Sequence, residues 1–103
     1  MADEKLSLLA EFLIRPGMEE KVKKEVMALV APTRSEPGCI NYDLHQDREN
    51  PRRLVLYENW RSKKDLDEHL AMPYLQAFIA KQDELLEEPI KLTFMDMVSE
   101  PDK

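Results

Sequence analysis

Glycine is scarce: the 103 residues hold two, Gly17 and Gly38. Loops that cradle phosphate, such as GxxxxGK[ST] or GxGxxG, need several glycines close together. Nucleotide binding of those kinds is therefore excluded. Cysteine is scarcer still, and Cys39 alone can form neither an internal disulfide nor a multi-cysteine zinc site. No apolar run approaches the ~20 residues of a membrane-spanning helix. Basic residues are outnumbered, 15 against 21 acids, for a net charge of −6. A nucleic-acid binder ordinarily shows the opposite sign, with its bases grouped on one face. The opening Met-Ala-Asp-Glu-Lys carries acids and no apolar signal core, so the expected setting is the cytoplasm, without membrane or nucleic acid as partner. There is no G-x-S-x-G elbow to support a hydrolase of that type.

What remains is an ordinary globular balance, 43% hydrophobic and 35% charged, over a length that fits one domain with a modest core. The domain is expected to span 1–103, with a charged tail over about 99–103. Leu6, Leu8, Ala10, Phe12 and Ile14 alternate and predict a first strand, ended by Arg15-Pro16-Gly17. Met18, Val22, Val26, Leu29 and Val30 form a helical stripe, limited by Pro32 with a turn to about Ser35. After the turn Glu36-Pro37-Gly38, the residues Ile40, Tyr42 and Leu44 predict a second strand. Gln46 to Arg52, with Asn50-Pro51, reads as a hairpin connection. The third strand runs from Leu54 to Trp60, with Leu54, Leu56 and Trp60 on one face and Val55, Tyr57 and Asn59 on the other. Ser62-Lys-Lys-Asp65 resembles a capping box and opens a second helix, interrupted at Pro73 and resumed from Leu75 to Leu86. Ile90, Leu92, Phe94 and Val98 predict a last strand.

The order β-α-β-β-α-β predicts an α+β, ferredoxin-like antiparallel sheet with helices on one face. Leu9, Leu13, Val55, Tyr57, Met95 and Met97 would then point away from the helices. A second copy of the chain is the simplest cover for that face, so a homodimer by sheet packing is expected.

Few side chains can carry chemistry. His69 lies on the apolar side of its helix, between Leu66 and Leu70. It reads either as a partly buried histidine bonded to a carboxylate, with Asp65 one turn earlier as candidate, or as a base facing a cavity. His45 sits on the polar face of the second strand, about 20 Å from Cys39 at ~3.3 Å per residue, too far to share a metal. Cys39 reads as a small apolar strand residue, with a Cys39–His69 nucleophilic pair left open. Asp65, Asp67 and Glu68 around His69 fit a solvated helix start better than a metal cluster, so no metal site is expected. Phe12 and Phe94 read as core. Trp60 and Tyr74 come near one another if the second helix folds back over the sheet, and such aromatics could line an apolar pocket for a planar ligand.

The stretches Glu36-Pro-Gly-Cys-Ile-Asn-Tyr-Asp-Leu-His45, Leu56-Tyr-Glu-Asn-Trp60, Leu66-Asp-Glu-His69-Leu and Pro73 to Phe78 resemble the antibiotic-biosynthesis monooxygenase family, with likeness from about Leu8 to Val98. The resemblance implies a dimeric α+β barrel, each subunit ferredoxin-like with a pocket between sheet and helices. It implies a reaction without metal, flavin or haem. In the monooxygenase members an electron-rich phenol or quinol is deprotonated and reduces O₂, and the resulting peroxide collapses to a quinone and water. His69 matches the histidine of the family's helix motif and would be the base; Trp60, Tyr57, Tyr74 and Phe78 would line the substrate pocket. Haem-degrading relatives use an asparagine in the first strand, a tryptophan in the second helix and an axial histidine further on. Phe12 and His69 stand at the first two positions, and Phe78 to Gln82 holds no histidine, which argues against haem degradation. Two alternatives are kept: a non-catalytic binder of small aromatic or quinone ligands, and an isomerase of a small phosphorylated signalling sugar.

Overall fold

The computed structural model describes residues 5–99; most of the tail expected over 99–103 lies outside the described residues. The elements run β1 (Leu6–Leu13), α1 (Glu19–Arg34), β2 (Cys39–Gln46), β3 (Arg53–Trp60), α2 (Lys63–Leu70), α3 (Pro73–Ile79), α4 (Gln82–Leu85) and β4 (Lys91–Met95). The strands form one open antiparallel sheet in the order β2-β3-β1-β4, the ferredoxin-like arrangement implied by the element order. None of the described helices is long and apolar enough to cross a membrane.

Alternation in the strands sets the layers. Leu8 stands opposite Glu58 and Phe94, Ala10 opposite Leu56 and Leu92, and Phe12 opposite Leu54. These rows face inward, where Leu8, Ala10, Phe12, Leu54 and Leu56 join the buried helix residues Val22, Val26, Leu29, Leu66, Leu75, Phe78 and Leu85 in one core. The outer face carries Leu9, Leu13, Val55 and Met95, all half-buried, and Tyr57. At one end of that face Ser7 donates to Asn59, and the Asn59 amide donates to Asn41 at 2.9 Å.

The helix ends follow from local chemistry. The Ser62 hydroxyl accepts the Asp65 backbone N–H and caps α2. Met72, extended at φ −65° and ψ 136°, obeys the restriction that a following proline imposes, and Pro73 then opens α3 at a position where its missing N–H is not needed. The turn past Pro32 stays helical to Arg34 and closes through Ser35.

Two apolar side chains expected inside are outside. A register shift between Cys39 and Asn41 takes Ile40 out of the alternation and leaves it 55% exposed. Phe94 points to the helix side, but β4 is an edge strand beyond the helices' cover, and the ring is 55% exposed. Val98 falls beyond the strand, which ends at Met95.

The two glycines have separate causes. Gly17 adopts φ +88° in the β1–α1 turn, a region open to glycine. Gly38 is required by packing: a Cβ there would stand 2.3 Å from the Cβ of Asp65. Its carbonyl accepts the Arg61 N–H at 2.8 Å, so the α1–β2 turn is pinned against the start of α2. Gly38→Ala is expected to lower stability by about 1–3 kcal/mol through overpacking, measured as a fall in thermal midpoint; an unchanged midpoint would show that Asp65 yields freely.

Candidate functional site

A cleft of about 260 Å³ opens between the inner face of the sheet and the helices that follow β3. Its floor is Leu8, Ala10, Phe12 and Leu56. Leu70, Leu75, Ile79 and Gln82 form the wall above, and the segment from Pro89 to Leu92 borders the rim. Polar groups gather at one end, where Tyr42, Glu58 and His69 meet. An apolar cavity with a few convergent polar groups is the usual form of a ligand site.

His69, 2% exposed, is fixed on three sides. Its Nδ1 lies 2.9 Å from Oε2 of Glu36, in the turn after α1. The Trp60 ring packs against it with centroids 4.6 Å apart and planes inclined by 30°. Tyr42 meets it edge-on at 5.5 Å. Glu36 Oε2 also accepts the Tyr74 hydroxyl. An oxygen that accepts from both neighbours places the imidazole proton on Nδ1 and leaves Nε2 with its lone pair. No bond from Nε2 to another described residue competes for that lone pair.

Glu58 is the second acid of the site, 3% exposed and directly opposite Tyr42 and Leu8 in the sheet. Its Oε1 accepts the Trp60 indole N–H at 2.9 Å. Burial pushes its carboxyl up to about 7; the Trp60 bond works against that, and the Glu36 charge adds to it. Burial also raises the Tyr42 phenol well above its ordinary range. The Tyr74 phenol is pushed up to about 12 by burial, then by its bond to Glu36 and that residue's charge. Both phenols are neutral at physiological pH. Cys39 is raised to about 11 by burial and then by the charges of Glu36 and Glu58, so it is a thiol rather than a nucleophilic thiolate at neutral pH.

The residues expected from sequence are distributed unevenly. His69 lines the cleft. Trp60, fully buried, stands behind His69 and holds Glu58. Tyr74 reaches the same end through Glu36. Phe78, 3% exposed, packs edge-on against Phe12 at 5.9 Å and supports the cleft from behind. Tyr57 does not belong to this cleft: it shares the outer face with Leu9 and Asp43, its register partners, because strand alternation points it away from its neighbour Leu56. Asp65 is not the partner of His69. Its carboxylate is held by Arg61 at 2.9 and 3.0 Å and by Ser62, and Asp67 pairs with Lys63. His45 is exposed on the outer face, its Nδ1 3.1 Å from the Asp43 carbonyl oxygen. Among the described residues no three His, Cys, Asp or Glu side chains are placed to hold a metal ion.

Sequence reasoning missed Glu36, Glu58 and Tyr42 as members of the site. Glu58 had a visible signal, since it occupies an inward position between Leu56 and Trp60. Glu36 had none but its motif: it lies 33 positions from His69.

Comparison with known proteins finds similar chains along most of this length. The family model for antibiotic biosynthesis monooxygenase matches residues 6–81. Rv0793 from Mycobacterium tuberculosis is 34% identical over 95 residues, covering 92% of this chain and 93% of that protein. Its solved structure superposes with a TM-score of 0.88 at 33% identity, over 94% of this chain and 98% of that one. PA3566 from Pseudomonas aeruginosa gives a TM-score of 0.89 at 32% identity, over 96% of this chain and 99% of that one. An uncharacterized protein from Synechocystis is 30% identical over 91 residues, which cover 88% of this chain; the match spans 62% of that protein's length.

The buried acid has a measurable consequence for stability. The folded carboxyl of Glu58 titrates near 7 and the unfolded one near its ordinary 4.5. Between those values the native state keeps a proton that the unfolded state has released. Stability therefore falls as pH rises from about 4.5 to 7 and then levels. Glu25, Asp47 and Asp65, whose carboxyls are held below their ordinary values, act only at lower pH. Glu58→Gln, which retains an acceptor for Trp60, is expected to flatten this slope and to be more stable than wild type at pH 8 by up to about 3 kcal/mol, read from denaturant melts across pH 5–8. Parallel wild-type and variant curves would refute it.

Proposed function

Because the chain belongs to the antibiotic biosynthesis monooxygenase family, we propose that it is a cofactor-independent monooxygenase that oxidises a small aromatic phenol or quinol with O₂ to a quinone. The observation that carries this reading is the His69 imidazole, anchored through Nδ1 to buried Glu36 and turned toward an apolar cleft. Nε2 takes the phenol proton, and the Glu36 carboxylate stabilises the imidazolium that forms. Tyr74 shares that carboxylate and fixes its position. The phenolate is itself the reductant: it passes an electron to O₂, and the radical pair joins at a ring carbon as a peroxide. Collapse of the peroxide gives the quinone and water. The apolar floor and wall favour a planar ring and O₂ over water, and the cleft volume, about 260 Å³, suits a ligand smaller than drug size.

An isomerase of a phosphorylated sugar is less well supported. The cleft lining holds no Arg or Lys, and a phosphate there would meet the Glu58 carboxyl without a counter-charge. A protein that only binds aromatic or quinone ligands would share the cleft, and turnover separates the two.

The working unit we propose is a homodimer joined through the outer faces of two sheets. Leu9, Leu13, Val55 and Met95 supply apolar area there, while Ser7, Asn59 and Asn41 satisfy one another. Light scattering is expected to give about twice the 12.1 kDa chain, and Leu9→Arg to shift the species toward monomer; a wild-type monomer at micromolar concentration would overturn the dimer.

The catalytic reading is tested by O₂ uptake with 1,4-naphthoquinol. His69→Ala is expected to lower turnover by about 10²–10⁴-fold, the ordinary contribution of a positioned base. Full turnover in that variant would remove His69 from the role.

A further inference from the structure

We infer that Glu58 is a second catalytic residue, the acid that protonates the departing peroxide oxygen as the O–O bond breaks. The inference rests on the monooxygenase reading and completes it, since His69 is taking up the C–H proton as the O–O bond breaks and cannot at that moment deliver one to the leaving oxygen.

The position of Glu58 is hard to explain by folding alone. It occupies an inward register on β3, between Tyr42 on β2 and Leu8 on β1, where Leu54 and Leu56 show that an apolar side chain fits the pattern. It is 3% exposed, and the groups that act on its carboxyl, the Trp60 indole and the Glu36 charge, bring no cation. A buried carboxyl without a cation is costly and is retained where its chemistry is used. Trp60 holds one oxygen, Oε1, at 2.9 Å. The carboxyl has no other bond within the described residues, and it lines the cleft together with His69. The groups that face it are Tyr42 from β2, His69 from α2 and, through its charge, Glu36 from the α1–β2 turn. None is a fixed cation. Burial and the Glu36 charge keep the proton on Glu58 up to about pH 7, so the site holds an acid and a base at once.

The imidazolium that His69 became on taking the phenol proton gives that proton to the new peroxide, so the ring carbon that has taken up O₂ carries one hydrogen and a hydroperoxide. His69 is then neutral again. Neutral His69 removes that C–H proton, and the C–H electron pair becomes the second bond of a new carbonyl. The O–O bond breaks, its electron pair leaves with the distal oxygen, and Glu58 supplies the proton that makes this oxygen water. One oxygen of O₂ ends in the quinone and the other in water. Proton return from the imidazolium to the Glu58 carboxylate restores the resting state. Without the acid, the adduct of a quinol has another exit: it expels hydroperoxide, giving the simple quinone and H₂O₂.

The test uses 1,4-naphthoquinol and O₂ with wild type and Glu58→Gln, which keeps the acceptor for Trp60. Wild type is expected to give 2-hydroxy-1,4-naphthoquinone and water, with kcat falling as pH rises past about 7. The Gln variant is expected to lose about 10²-fold in kcat with KM little changed, to lose the alkaline fall, and to divert product toward 1,4-naphthoquinone and H₂O₂. Glu58→Asp, which restores an acid, is expected to recover the alkaline fall and part of the coupling, and it decides the matter if the Gln variant fails to fold. A Gln variant with wild-type kcat, pH profile and product ratio would overturn the acid role alone. Absence of O₂ uptake by wild type would instead overturn the monooxygenase reading, and the acid role with it.

Discussion

The structure depends on one buried carboxylate. Glu36 lies in the turn between α1 and β2, yet its Oε2 accepts from His69 on α2 and from Tyr74 on α3. A carboxylate 9% exposed is tolerable only with such donors. In satisfying it, the fold ties two separate helical segments to one turn, at the end of the cleft where chemistry is proposed. The same bonds set the histidine tautomer. On the proposed reading, local order and reactivity have one cause.

Around that anchor the cleft is divided by polarity. One end is lined with aliphatic and aromatic carbon from the sheet and the helices; the other holds an imidazole, two neutral phenols and two acids in different electrical settings. Glu36 has two hydrogen-bond donors, whereas Glu58 has only the indole N–H. Environment rather than residue type therefore separates their roles. All three inward rows of the sheet and both anchoring helices are regular elements, so the reacting groups stand on a rigid frame.

Local pattern made most of the fold legible. Leu8, Ala10 and Phe12 alternate because one sheet face is buried; Val22, Val26 and Leu29 repeat at helical spacing; Ser62 and Asp65 mark a cap. The misses came where tertiary context overrode pattern. Ile40 alternates with Tyr42 in sequence, but the bulge beside it removes it from the core. Phe94 has the right parity and lacks a helix above it. His69 could be picked out as a polar residue on an apolar helix face. Its partner could not: Asp65 was near in sequence, and Glu36 was brought to it by the turn at Gly38. Tyr57 shows the limit of resemblance: strand alternation already put it on the outer face, where the structure has it, while the likeness to the family put it in the pocket.

The strand order has a further effect on how the site comes into being. β1 lies between β3 and β4 and pairs with both, so the first strand must wait for the last described one before its second edge is closed. Contacts between such distant segments form slowly because loop closure precedes any reward. Pro89, Ile90 and Leu92 border the cleft mouth, and they arrive with β4. A chain that has assembled β1, α1, β2, β3 and α2 therefore has His69 and Glu58 side by side while the pocket is still open to water. The cleft is complete only once synthesis has reached the strand that shuts the sheet.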